Sequence, residues 1–208
     1  EWFCASPQSV ANMSATAYFF AYNLAQAVDI PIGIINTSWG GTRVESWMPM
    51  SALEDILTKE QIEHKHTVHS IKPTELYCGM IAPIRDYTAK GFIWYQGCSN
   101  LDDNDHYDTM MARMVQQWRE DWGDKENAMP FYYVMIAPYI YKSSDDIAYP
   151  LFVENQVRAL SKIPNCGMAA TTDIGEERCI HPAKKFEVGQ RLAALALAQT
   201  YGQMGFEP

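Results

Sequence analysis

Four continuous apolar segments alternate with amphipathic helical segments, and this alternation constrains the fold more than any other feature of the chain. The apolar segments are "PIGIINTS" (31–38), "GFIWYQG" (91–97), "FYYVMIAP" (131–138) and "GMAATTD" (167–173). Strands of a parallel sheet read as continuous apolar runs because helices cover both faces of the sheet. The pattern therefore predicts an α/β fold with a parallel sheet of four strands.

Helices are predicted around these strands from apolar spacing and from end signals. The first covers 14–28, with Ser14 as its N-cap. The other three are one within 102–123 that ends at Gly123, one opened by Pro150, and one from Pro182 to Gly202. Their apolar positions at helical spacing are Tyr107, Met111, Met114, Val115, Trp118 and Trp122, then Val153, Val157 and Leu160, and finally Val188, Leu192 and Leu195.

The length and the net charge of the chain limit which functions it can have. The 208 residues are enough for one substantial core, which predicts a single domain over 1–208. A net charge of −9 argues against a nucleic-acid or anionic-membrane partner, and no apolar run is long enough to span a bilayer. The five cysteines have no CxxC spacing, and His64, His66 and His69 lie in the least regular segment, so no metal site is predicted.

Ligands of parallel sheets bind at the carboxyl ends of the strands, so the loops that follow the strands are the places where a functional site is expected. "SWGGT" (38–42) contains a glycine pair that either presents N–H groups to developing negative charge or forms a tight turn. In "YQGCSN" (95–100), Asn100 and the Gly97 N–H are possible oxyanion donors, although a strand-to-helix turn is the commoner meaning of such a motif.

"DIGEERCIHP" (173–182) places a histidine on a loop just before a proline. His181 is a candidate general base, with Asp173, Glu176 or Glu177 as its acid partner, and the alternative is a solvated acidic loop. The three loops share one predicted sheet edge, and oxyanion donors together with a histidine base are what acyl transfer requires. No serine of the chain lies where a nucleophile is expected.

Four blocks of this sequence together resemble the sialate O-acetylesterases of the SGNH hydrolase superfamily. They are "IGIINTSWGGTRVESWMP", "YCGMIAPI…KGFIWYQGCSN", "FYYVMIAPY" and "DIGEERCIHPAKKFEVGQRLAALALAQTYG". The resemblance implies a flavodoxin-like, three-layer α/β/α fold. In that family a serine in a "GQSNM"-type block after the first strand is the nucleophile. This chain has no such block, so the resemblance implies that the serine and the first strand lie outside the sequence as given, on an upstream segment.

Site residues follow from the resemblance by matching motifs. Gly40 and Gly41 match the glycine block that supplies an oxyanion N–H, Asn100 matches the second oxyanion donor, and His181 matches the catalytic base. Gln96 and Gly97, in the same block as Asn100, are assigned to substrate binding.

Two positions depart from the family pattern. Cys98 stands where the family often has glutamate in "QGESN", and Arg178 stands where many superfamily members have an acid three residues before the histidine. The acid that orients His181 is therefore open, and Asp173 is preferred to Glu176 and Glu177 because it ends the last strand.

The implied activity is the removal of O-acetyl groups from sialic acid or a related acetylated sugar, with no metal or organic cofactor and, by family analogy, outside the cytoplasm. Four aromatic residues near strand ends are candidates to stack on a sugar ring, although such residues more often pack in the core: Trp39, Trp94, Tyr95 and Tyr139.

Two alternatives stay open. A non-catalytic carbohydrate-binding or structural remnant fits the absent serine block, and a thiol hydrolase would use Cys98 with His181.

Overall fold

The computed structural model describes residues 2–63, 71–103, 105–141, 147–203 and 205. His64, His66 and His69 lie outside the described residues. The chain forms two compact units, which are described separately. Unit 1 contains Glu1–Ser38, Ala137–Tyr139 and Ala169–Pro208, and unit 2 contains Trp39–Ile136 and Ile140–Met168. The organisation of 1–208 as one domain stays a prediction.

A three-stranded parallel sheet confirms the α/β class. Its strands are β1 (Phe92–Trp94), β2 (Phe131–Val134) and β3 (Cys166–Ala169), in the order β1-β2-β3. Strand β1 runs parallel to β2 with Phe92 opposite Phe131. All four residues of β2 are buried, as expected for a central strand that reads as a continuous apolar run. Three of the four predicted strands are thus confirmed.

The fourth predicted strand, 31–38, is wrong, because the described residues contain no strand there. Its residues are half-buried or exposed, and Ile35 is among the exposed large apolar side chains. A strand exists only where a neighbour completes its hydrogen-bonded ladder, and an apolar run does not reveal whether that neighbour is present.

The helices have the following bounds. They are α1 (Ala15–Ala25), α2 (Met50–Glu54), α3 (Lys59–Glu63), α4 (Tyr107–Asp121), α5 (Ala148–Lys162) and α6 (Lys185–Leu195). Short 3₁₀ turns occur at Val10–Asn12, Val44–Trp47, Ala82–Ile84 and Cys98–Asn100, and π-helical turns at Tyr77–Ile81 and Ala196–Thr200. None of the described helices is both long enough and apolar enough to cross a membrane.

In unit 2, α4 supplies much of the core, as the spacing of its apolar residues predicts. Its buried face includes Tyr107, Met111 and Trp118. The Trp118 ring lies 5.5 Å from that of Trp94 in β1, and its indole N–H donates to the Trp47 carbonyl oxygen at 3.1 Å. The helix stops at the predicted place, where Gly123 has a φ of 72°.

Helix α5 buries a different face from the predicted one. Val157 and Leu160 are 46% and 39% exposed, and the buried residues are Ala148, Phe152, Asn155, Gln156 and Ala159. Gln156 causes the difference, since its amide accepts from the Ile136 N–H at 2.9 Å and donates to the Val134 carbonyl at 3.2 Å. Gln156 is buried because it forms hydrogen bonds to backbone groups at the end of β2, and a pattern based on apolar residues does not identify such a position as buried.

In unit 1, α1 and α6 pack together. Ser14 caps α1 as predicted by accepting from the Ala17 N–H at 3.3 Å, and Phe19 meets Phe186 edge to face at 5.5 Å. The predicted start of the last helix at Pro182 is wrong, because α6 begins at Lys185. The Ala183 N–H donates instead to the Glu176 carboxylate at 2.6 Å, which holds this stretch in a loop.

Candidate active site

Unit 2 brings two of the three predicted loops together. The Gln96 side-chain amide donates to the Thr42 carbonyl oxygen at 2.8 Å, and the Val44 N–H donates to Oδ1 of Asn100 at 3.0 Å. These bonds fasten the segment after the glycine pair to the loop that follows β1. The candidate residues Gly40, Gly41, Gln96, Gly97 and Asn100 therefore belong to one connected region.

Asn100 is the best fixed of the candidate residues. It ends the 3₁₀ turn Cys98–Asn100 and has no exposed surface. Its Oδ1 accepts from the Val44 N–H at 3.0 Å and from Nε2 of Gln96 at 2.8 Å, while Nδ2 donates to Glu45 at 2.9 Å. Since an amide nitrogen carries two hydrogens, one N–H remains after the bond to Glu45. A donor held in this way has the chemistry that an oxyanion site needs.

A buried ion pair behind Asn100 is absent from the sequence-based site. Glu45 is 1% exposed, and its carboxylate accepts from the Arg43 guanidinium at 3.1 Å. Arg43 also contacts Asp103 at 2.5 Å. Burial acts to raise the pKa of Glu45, but the charge of Arg43 and the hydrogen bonds from Arg43 and Asn100 outweigh burial and hold this pKa below its usual value. The signal in the sequence was "TRVESW", two opposite charges two residues apart between residues that are otherwise apolar or small.

Gln96 is held by the protein on every side of its amide. Besides donating to Thr42 and Asn100, it accepts from the Tyr107 hydroxyl at 3.0 Å. In this arrangement Gln96 acts on Asn100, and its predicted contact with substrate stays a prediction.

Gly97 is required by packing. Its φ of 151° disfavours other residues, and a Cβ at this position would lie 2.6 Å from Cε1 of Phe152 and 2.7 Å from Cγ2 of Ile136. Both neighbours are fully buried, so neither has room to move away.

We expect Gly97→Ala to lower the free energy of unfolding by about 1–3 kcal/mol, the range for overpacking a tight core. The measurement is urea unfolding, with Gly40→Ala as the matched control, because a Cβ at Gly40 meets no atom within 4 Å. Equal stability of the two variants would contradict the packing account.

Gly40 and Gly41 are exposed, and Gly41 has a φ of 69°. The backbone therefore turns sharply at Gly41, just before Thr42 becomes buried. The role of their N–H groups as oxyanion donors stays a prediction.

His181 lies in unit 1, exposed on the loop that precedes α6. The loop is shaped by an antiparallel bridge between Glu176 and Cys179, by the bond from the Ala183 N–H to Glu176, and by the Cys179 thiol, which donates to the His181 carbonyl oxygen at 3.2 Å. Its backbone is thus held on both sides of the histidine while the imidazole stays accessible.

Asp173 is also in unit 1, and both of its carboxylate oxygens accept from Arg191, at 2.7 and 2.5 Å. These hydrogen bonds are the main reason that the pKa of Asp173 is lowered to about 2. Within the described part of unit 1, no hydrogen bond joins Asp173 to His181 directly. A carboxylate has lone pairs beyond those used by Arg191, so the role of Asp173 as the orienting acid stays a prediction.

If Asp173 orients His181, Asp173→Asn lowers kcat for acetate release, because an amide no longer stabilises the imidazolium that forms when His181 takes the serine proton. Asp173 is ionised at every pH well above 2, so the loss should be present throughout the neutral range. The measurement is kcat, with Glu177→Gln from the same loop as the variant that tests the alternative acid. An unchanged kcat in Asp173→Asn would assign Asp173 to the Arg191 ion pair alone.

The remaining candidates have different surroundings. Trp94 packs in the core of unit 2, the commoner fate of such aromatic residues, whereas Trp39 is exposed. The Cys98 sulfur lies 3.3 Å from the Tyr141 hydroxyl, and the Tyr141 ring stacks on Tyr149 at 5.5 Å. In the part of the chain that the structure describes, no three His, Cys, Asp or Glu side chains are grouped to hold a metal ion.

The chain is similar to known esterases over almost its whole length. A family model described as "Carbohydrate esterase, sialic acid-specific acetylesterase" matches residues 5–198. Human sialate O-acetylesterase is 32% identical over an alignment that covers 92% of this chain and 40% of the human protein, and the mouse protein is 28% identical over 92% and 43%. A crystal structure of a carbohydrate acetylesterase from Xanthomonas citri superimposes with a TM-score of 0.85 at 36% identity, covering 98% of this chain and 44% of that one. The chain thus spans less than half the length of these relatives.

Proposed function

The chain belongs to the sialic acid-specific acetylesterase family of carbohydrate esterases, and from this membership we propose that it forms part of an enzyme that removes O-acetyl groups from sialic acid or a related acetylated sugar. The reaction is a two-step acyl transfer through a serine. That serine is supplied by a segment outside these 208 residues. The proposed location, by family analogy, is outside the cytoplasm.

In the first step the serine Oγ attacks the acetyl carbonyl carbon while His181 takes the hydroxyl proton. The carbonyl oxygen becomes an oxyanion, which accepts hydrogen bonds from Nδ2 of Asn100 and from the Gly41 N–H, with the Gly40 or Gly97 N–H as a further donor. The bond to the sugar oxygen then breaks, and His181 returns its proton to the sugar hydroxyl that leaves.

In the second step water attacks the acetyl-serine, again with His181 as base. Acetate is released and the serine is regenerated. Every step is a proton transfer or an acyl transfer, so the reaction needs no redox partner and the proposal includes no cofactor.

The observation that carries this proposal is the fixed amide of Asn100. A donor that is positioned before the reaction spends no free energy on reorientation as charge develops, and it acts in surroundings from which water is excluded. Three hydrogen bonds hold the Asn100 amide in a loop after a parallel strand, so the orientation of this donor is set before substrate binds.

The direct test is acetate release from O-acetylated N-acetylneuraminic acid by protein that contains this chain together with the segment that supplies the serine. Acetylated xylose serves as the comparison substrate, because it carries the same ester on a neutral sugar. The proposal predicts release from both and a higher kcat/KM for the sialic acid. No release from either sugar would leave the carbohydrate-binding remnant as the better account.

A further inference from the structure

We infer that Glu45 is a positioning residue of the proposed esterase, whose buried carboxylate sets the orientation of the Asn100 amide and so aims its second N–H at the oxyanion. This inference rests on the proposed function. The geometry that carries it lies wholly in unit 2, where Oε2 of Glu45 accepts from Nδ2 of Asn100 at 2.9 Å.

The orientation of the Asn100 amide is decided by partners whose roles cannot be exchanged. On one side the Val44 backbone N–H can only donate, and on the other side the Glu45 carboxylate can only accept. If the Asn100 amide were rotated by 180°, its NH₂ group would face the Val44 N–H, and its oxygen would face the Glu45 carboxylate. Glu45, together with the Val44 N–H, therefore selects the orientation that offers an N–H to substrate over the one that offers a carbonyl oxygen.

Glu45 can hold this role because it stays ionised within the protein. Its two oxygens accept from Arg43, at 3.1 Å from Nη2 and at 3.4 Å from Nε. Asp103 contacts the same guanidinium from a half-exposed position. One arginine thus balances the buried carboxylate and anchors it in one rotamer.

Stability alone is a poor reason for this arrangement. Burying an ion pair removes two charges from water, and apolar replacements of similar volume are often neutral or stabilising. A carboxylate that is 1% exposed and bonded to the amide of a proposed catalytic residue is better explained by orientation.

The decisive variant is Glu45→Gln, which keeps size and shape. Oε1 of Glu45 accepts from Arg43, and Oε2 accepts from both Arg43 and Asn100, so either orientation of the new amide places an NH₂ group against a donor. We expect kcat for acetate release to fall about 10- to 100-fold with KM nearly unchanged, by analogy with the loss that follows removal of a hydrogen-bond partner of a metal ligand.

A double-mutant cycle tests whether Glu45 acts through Asn100. Glu45→Gln is expected to have no further effect on kcat when Asn100 is already alanine. If the two effects instead multiply, Glu45 acts independently of Asn100 and the inference is overturned, while the proposed function stands. Asp124→Asn is the matched control, because Asp124 is a largely buried acid beside Arg119 that lies outside the Asn100 network; it should change thermal stability and leave kcat unaltered in both backgrounds.

A second readout does not depend on activity. In ¹⁵N-labelled protein, the Asn100 side-chain NH₂ signals are expected to shift and to exchange faster with water in Glu45→Gln, and to stay unchanged in Asp124→Asn. Unchanged Asn100 signals in Glu45→Gln would overturn the inference whatever the kinetics show. If the wild-type protein releases no acetate while the Asn100 signals still shift in Glu45→Gln, the result counts against the proposed function and leaves the hydrogen bond between Glu45 and Asn100 in place.

Discussion

His181→Ala is expected to lower kcat for acetate release by about 10²–10⁴-fold, the contribution typical of a positioned general base. Without the imidazole, the proposed base that takes the proton of the attacking hydroxyl and returns it to the leaving sugar is missing. The variant should fold normally, since the side chain is exposed and the bonds that shape its loop involve Glu176, Cys179 and backbone atoms.

The measurement is kcat and KM at several pH values, together with the melting temperature. His106→Asn is a suitable control, because His106 has a φ of 67°, a backbone conformation that asparagine tolerates, and it has no part in the proposed mechanism. A His181→Ala protein with nearly full activity would remove His181 from the mechanism.

Asn100→Ala is expected to lower kcat by about 10²–10³-fold, as removal of one oxyanion donor does in acyl-transfer enzymes. The loss should fall on kcat more than on KM, because the bond to the oxyanion forms only as the transition state develops. The change also leaves the Val44 N–H and a Glu45 oxygen without this partner, so unfolding should become easier by about 1–3 kcal/mol.

The kinetic and structural parts of this effect are separated by assaying well below the melting temperature and by a neighbouring control. Ser99→Ala alters the same 3₁₀ turn, and Ser99 has no role in the proposed mechanism, so it should keep wild-type kcat. Activity that survives in Asn100→Ala would refute its assignment as an oxyanion donor. If Cys98→Ala abolished activity instead, the thiol hydrolase would become the better account.

Sequence patterns predict this fold best where the structure of an element depends only on residues close together in the sequence. The apolar spacing of α4, its stop at Gly123 and the Ser14 cap of α1 are local features, and the structure has all three. The strand predicted at 31–38 is wrong because a strand needs a hydrogen-bonded neighbour, and the segment itself does not show whether that neighbour is present. The predicted buried face of α5 is wrong because Gln156 is buried to make its two hydrogen bonds to the backbone.

The residues of the candidate site likewise differ in whether the sequence alone identifies them. Strand ends and sequence motifs lead to Gly41, Asn100 and His181, whereas the opposite charges in "TRVESW" mark Glu45 without showing which residue it contacts. The bond from Asn100 to Glu45 joins residues 55 positions apart, so only the folded chain brings them together. The same holds for Asp173, whose pairing with Arg191 is not visible from its place at the end of a strand.

Fluorophosphonate labelling shows whether acyl transfer runs through a serine that is assisted by Asn100 and His181. The reagent phosphonylates the activated serine of such enzymes, and peptide mapping by mass spectrometry locates the adduct. We expect one adduct, on a serine outside these 208 residues, formed much more slowly in Asn100→Ala and His181→Ala than in the wild type. An adduct on Cys98, or an active enzyme on which the reagent forms no serine adduct, would refute this mechanism.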